Sequence, residues 1–258
     1  MPDAGALSYF EHNAAKYADW TRTSRGFDER RAVFGALIGS CQPPAGEAAL
    51  CLDLGCGSAP LGLLAAARGF DVVAIDGSAE MLALARRAQA LTLPSIRDFR
   101  HAGLPLDPAL SGIREFRQAR LPLDVALTEE LRGRADLIIA SSVVEYLSEL
   151  DATRLIAQCA QLLKPSGTAL ISFPNRRALY WRAVRPVGNR GPLRDRAAGV
   201  QQRQWTPEQV REVALASGLS LDSFQYFALP LQQYLDHLSR RRPAWLATLF
   251  VAVLTPAM

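Results

Sequence analysis

Two carboxylates with a glycine turn between them carry the first chemical signal in the chain. Asp53 stands in the apolar run ALCLDLG (49–55), and Gly55, Cys56 and Gly57 follow it. Asp76 closes a second apolar run, DVVAID (71–76), with Gly77 beside it. Glycines in such a turn let a ligand approach the backbone closely, and a helix starting just beyond offers unpaired N–H groups. A carboxylate at Asp76, twenty-one residues after Gly55, can accept both hydroxyls of a ribose. A dinucleotide fingerprint would want glycine where Pro60 stands, so the turn fits NAD poorly. Proton-transfer candidates are few. The histidines are His12, His101 and His237, and the cysteines (Cys41, Cys51, Cys56, Cys159) lack metal-ligand spacing.

The elements that must hold these groups alternate. A helix is expected over 29–38, a strand over 49–55, and a helix over 60–69 with Pro60 at its first position. Strand 71–76 and helix 78–91 follow, then strand 136–142, helix 151–163 and strand 167–173. Strands alternating with helices imply parallel crossovers, hence an α/β sheet covered on both faces. Thr206, Pro207 and Gln209 form a capping-box start for a helix at 206–218, and a strand follows at 219–227. The tail LATLFVAVLTP (246–256) is apolar throughout. Residues 96–110 and 113–127 match at 11 of 15 positions, a local duplication, so one copy should form the third strand and the other an insertion.

Composition narrows the class. The 258 residues are 49% hydrophobic and 21% charged, ordinary for a globular chain with a full core. No run of 18 apolar residues exists, and the start carries no signal-peptide pattern. A reduced, cytoplasmic chain is the expectation. Net charge is +4, and of 29 basic side chains only Lys16 and Lys164 are lysines. Eight arginines against one acid fall within 176–203, interrupted by prolines and glycines.

With LDLGCGSAP (52–60), Asp76 and this strand order, the chain resembles the class I S-adenosylmethionine-dependent methyltransferases. The resemblance covers roughly residues 30–175, and the last fifty more loosely. It implies a Rossmann-like, seven-stranded, mostly parallel sheet with helices on both faces and an antiparallel last strand at 247–255. A membrane-surface segment behind Arg240-Arg241-Arg242 is the competing reading of that tail. It implies S-adenosyl-L-methionine as cofactor, with Gly55, Cys56 and Gly57 under its methionine part and Asp53 near its amino group. Asp76 would hold the ribose, with Gly77 next to it among the cofactor-binding residues, Met81 would pack on the adenine, and Ser141 would lie beside the methionine moiety and the methyl group. The adenine-amino slot after the third strand falls on His101-Ala102 or on Gln118-Ala119; Gln118 is preferred. Ubiquinone-type members place two glutamates and a histidine after the fourth strand as metal ligands. Ser142, Glu145 and Tyr146 stand there instead, so no metal is expected.

The implied layout is one domain: a lid segment (1–28), a cofactor-binding core (29–175), a substrate-side arginine-rich insertion (176–205), and a last helix with two strands (206–258). His12 and Tyr146 are the candidates for catalysis, and Tyr9 and Tyr17 for lid contacts. Arg176, Arg177 and Trp205 are candidates for holding a small or lipid-like acceptor, an anionic one if the arginines grip it. Methyl transfer would then rest mainly on orientation. An RNA or protein methyltransferase is the alternative enzyme, although no nucleic-acid-binding module is visible. A non-catalytic cofactor-binding interaction subunit is the alternative of another class.

Overall fold

A computed structural model describes residues 4–41, 49–96, 112–179, 203–227 and 247–257. Two helices, α1 (Ala4–Thr23) and α2 (Arg25–Ser40), precede strand β1 (Ala49–Leu54). Then come α3 (Pro60–Ala66), β2 (Phe70–Asp76), α4 (Ala79–Ile96), β3 (Glu115–Gln118), α5 (Val125–Leu131) and β4 (Ala135–Ala140). A single 3-10 turn, Val144–Tyr146, leads to α6 (Glu149–Leu162) and β5 (Leu163–Pro174). After α7 (Pro207–Ala216), strands β6 (Leu219–Phe227) and β7 (Leu249–Pro256) complete the sheet.

The seven strands lie in the order β3-β2-β1-β4-β5-β7-β6. The first five are parallel, and β7 runs antiparallel to both β5 and β6. The expected mixed sheet is therefore present. The apolar tail is its inner antiparallel strand, with Phe250 stacked on Phe173 at 5.4 Å. This placement corrects the membrane-surface reading of that segment. Among the described residues, no helix is long and apolar enough to cross a membrane.

The central strands β1, β2 and β4 are buried on both faces, which is why they read as continuous apolar runs rather than alternating ones, whereas the edge strands β3 and β6 are only partly covered. All six residues of β1 are buried. One core lies beneath α5, α6 and α7 and contains Leu52, Ile138, Leu155 and Phe250. The other lies beneath α2, α3 and α4 and contains Phe34, Cys51, Val72 and Leu137. Reversing the chain order between β1 and β4 opens a crevice at the carboxyl ends of these strands, the usual ligand position in such sheets.

The start of α7 was legible from capping chemistry, for Thr206 and Gln209 make its reciprocal capping box. Helix α6 starts at Glu149, capped by Ser148, two residues before its expected start. The second copy of the duplicated segment supplies β3, so its fit to the third-strand slot is realised. Most of the first copy, including His101, lies outside the described residues, as does most of the arginine-rich insertion.

Candidate functional site

The cleft is built first by backbone. Gly55 and Gly57 adopt left-handed φ values of 67° and 56°, a region that side chains rarely occupy. A Cβ at Gly55 would stand 2.5 Å from Val143 Cγ2, so the loop after β1 packs against the end of β4 only without one. Gly55 and Cys56 donate their N–H groups to the Ile75 carbonyl, which ties this turn to β2. Asp76 accepts the Gly57 N–H at 2.8 Å through Oδ2 and the Ser78 N–H at 2.8 Å through Oδ1. One carboxylate thus fixes both turns that floor the cleft.

Asp53 is only 3% exposed, and its Oδ2 has no hydrogen-bond partner. Burial pushes its carboxyl up to about 7, against the Gly62 N–H and with help from the Asp76 charge. Burial also raises Asp76, where the Ser78, Gly57 and Gly77 N–H groups work in the other direction. Asp53 lines the cleft while its Oδ2 turns toward Gly62 of α3, and a buried carboxylate in such a lining fits a cationic or hydrogen-bond-donating ligand group.

Arg30, on α2, reaches the same cleft from the other side and is 6% exposed. Its Nη1 donates to Ser141 Oγ at 3.0 Å and also to Ser142 Oγ. The guanidinium lies between the rings of Phe27 (5.8 Å) and Phe227 (5.7 Å). Ser142 holds its hydroxyl there from a left-handed backbone (φ 57°), with its N–H donated to Ser172 Oγ. Sequence reasoning missed Arg30, because the serines that hold it lie 111 and 112 residues away.

Helix α1 roofs the cleft. Leu7 lies over Gly77, where a Cβ would stand 3.2 Å from its methyl group, and Tyr17 lies over Gly57. Phe10 meets Tyr146 edge to face at 5.1 Å, and Thr21 reaches Ser58 at 3.3 Å. Tyr9, Phe10, Tyr17, Trp20 and Phe27 continue this as a chain of ring contacts. Burial raises the Tyr17 phenol.

The cleft lining gathers Asp53, Gly55, Cys56, Gly57, Asp76, Gly77, Met81, Ser141 and Tyr146 from the residues singled out in the sequence. Gln118 is not among them. It sits exposed at the end of β3, its Nε2 donating to the Gly77 carbonyl at 3.3 Å, while Arg120 and Leu121 line the cleft instead. His12 is exposed on the outer side of α1, with Nδ1 donating to the Ser8 carbonyl at 2.7 Å, outside the cleft. Trp205 is buried against Phe173 (5.7 Å), Arg177 pairs with Glu208 at 2.9 Å, and Arg176 is exposed. None of these three lines the cleft. Among the described residues, no group of three or more His, Cys, Asp or Glu side chains could hold a metal ion.

Comparison with known proteins agrees with this geometry. The family model Methyltransf_23, a methyltransferase domain, matches residues 20–228. No curated protein is matched by the sequence. Among solved structures, the magnesium protoporphyrin IX methyltransferase of Synechocystis PCC 6803 with bound SAH is similar. Its TM-score is 0.64 at 15% identity, over 98% of this chain and 98% of that one. A second is the Burkholderia thailandensis 1,6-didemethyltoxoflavin-N1-methyltransferase with bound 1,6-didemethyltoxoflavin and S-adenosylhomocysteine. It has a TM-score of 0.61 at 15% identity, over 100% of this chain and 91% of that one. The family match over most of the chain, on a seven-stranded sheet of this order, makes the chain a member of the class I S-adenosylmethionine-dependent methyltransferases.

Proposed function

We propose that this protein methylates a small-molecule acceptor in the cleft beneath α1, with S-adenosyl-L-methionine as its cofactor. The observation that carries the reading is one cleft holding groups of opposite charge in separate places. Asp53 offers a buried carboxylate in the lining, Arg30 a buried cation held by two serines, and Asp76 a carboxylate beyond the glycine turn. An amino acid joined to a nucleoside has a group for each. Its ammonium suits Asp53, its carboxylate suits Arg30, and its ribose hydroxyls suit Asp76. When bound, the cofactor supplies a methyl group already activated on a sulfonium.

The residues of this chain then have to bind, orient and exclude water. Gly55 and Gly57 leave room at the cleft floor, and Met81, 2% exposed, offers an apolar surface. Phe10, Tyr146, Val143 and Leu147 form an apolar wall suited to the acceptor, and α1 covers the whole from water. The similar porphyrin and toxoflavin methyltransferases support a small-molecule acceptor. A lipid-like molecule belongs to the same reading through this apolar wall.

The test is calorimetric titration with S-adenosylhomocysteine of the wild type and of Asp76→Ala. Loss of one charged hydrogen-bond partner should cost about 1.5–3 kcal/mol, roughly ten- to hundredfold in affinity. Absence of binding by the wild type would overturn the reading.

A further inference from the structure

Near Arg30, in the turn that follows the serine it binds, stands a carboxylate that the reading above does not use. Glu145, in the 3-10 turn after β4, is 4% exposed, and its Oε2 has no hydrogen-bond partner. Burial raises its carboxyl, while Arg30 and the Ser142 hydroxyl favour its charged form. It also faces Tyr17 of α1. Its backbone is pinned, because its carbonyl accepts the Arg203 N–H at 2.8 Å. Glu145 makes no direct ion pair with Arg30. Ser142, three residues before Glu145, accepts from the guanidinium, so the turn that carries Glu145 begins just after Arg30's own partner.

We propose that Glu145 is a positioning residue acting through Arg30, the counter-charge that limits how tightly Arg30 holds a ligand carboxylate. The inference rests on the assignment of Arg30 to the cofactor's carboxylate. The argument is electrostatic. A buried guanidinium whose neighbours are two hydroxyls and two rings would present nearly its full charge to an incoming anion. A second anion near it, buried like the guanidinium itself, repels that ligand and offsets part of the attraction. The consequence falls on turnover, because a demethylated product keeps the same carboxylate and must leave. A looser grip at Arg30 speeds its release.

Glu145→Gln keeps the shape and an oxygen for Ser142 while removing the charge. The experiment is calorimetric titration of wild type and E145Q at pH 8 with two ligands. One is S-adenosylhomocysteine; the other is 5′-methylthioadenosine, which has the same nucleoside and sulfur without the amino-acid end. Thermal melting of the unliganded proteins checks folding. E145Q should bind S-adenosylhomocysteine about tenfold more tightly, by an increment absent from 5′-methylthioadenosine, and Glu145→Asp should stay near wild type. Equal or weaker binding of S-adenosylhomocysteine by folded E145Q overturns the proposal. A parallel change with both ligands also overturns it, since that is what a merely structural role produces. Wild type that fails to bind S-adenosylhomocysteine would instead overturn the cofactor assignment beneath it.

Discussion

Asp53 lies 3% exposed between the end of β1 and the first turn of α3, with one oxygen unmatched. Its carboxyl, pushed up to about 7 by burial, binds a proton in the folded chain under conditions where the unfolded chain has released it. The sign follows. Between the unfolded value near 4 and about pH 7, the native state holds the extra proton, so stability falls as pH rises and levels off above 7. The penalty for the buried charge is on the order of 4 kcal/mol at the plateau. A ligand ammonium at this oxygen reverses the preference. Affinity for S-adenosylhomocysteine should therefore strengthen as pH rises towards 7 and then flatten. Asp53→Asn should remove that pH dependence, weaken binding at pH 8, and raise the melting temperature of the unliganded protein there. Calorimetry and thermal melting across pH 5–9 check all three; an unchanged pH profile in the variant would assign it to another group.

Elements place these residues, and they are anchored at the end of the sheet away from the cleft. Asp136, at the start of β4, accepts the Leu50 N–H of β1 at 2.8 Å and the ammonium of Lys164 on β5 at 2.8 and 2.9 Å. Three adjacent strands share one carboxylate that is 12% exposed. Asp136→Ala should lower the urea midpoint by an amount corresponding to about 1.5–3 kcal/mol, with an unchanged slope. Affinity for S-adenosylhomocysteine should not change, because a six-residue strand separates the site by roughly 20 Å. The central strands were readable because burial on both faces turns them into short apolar runs, whereas the polar edge strand β3 was legible only as one of two copies of the duplicated segment. Helix α5 was not. VALTEEL is only seven residues, carries its Asp124 cap inside the duplicated segment, and exposes Val125. The helical form of α1 was also hidden, because its aromatic side chains serve the cleft rather than a regular apolar stripe. The floor of the site was local in sequence and therefore legible. Arg30 and its serines meet only through tertiary packing, and so does the replacement of Gln118 by Arg120 and Leu121 in the lining.

At the scale of the whole molecule, the sheet and the roof differ in how firmly they are held. Strands β5 and β7 share a register of six pairs inside the core, with Phe173 and Phe250 fully buried. Among its described side chains, helix α1 buries Ala6, Ala14 and Thr21, and its larger ones are half-covered over the cleft. Few buried apolar contacts make such an element the first to open, and its opening would admit a ligand to the cleft beneath it. Ligand binding closes this difference, because Leu7, Phe10 and Tyr17 gain a surface to rest on. At a free S-adenosylhomocysteine concentration one hundred times Kd, the liganded state is favoured by about 2.7 kcal/mol. Hydrogen exchange should register this unevenly. Amides of α1 should slow by an order of magnitude or more, whereas those of β5 and β7, already protected, should change only as far as global unfolding becomes rarer. The comparison is made on the same liganded and free samples by mass spectrometry. Unchanged α1 exchange in a protein whose melting temperature rises would mean that the ligand enters without passing α1. The roof would then be a fixed wall.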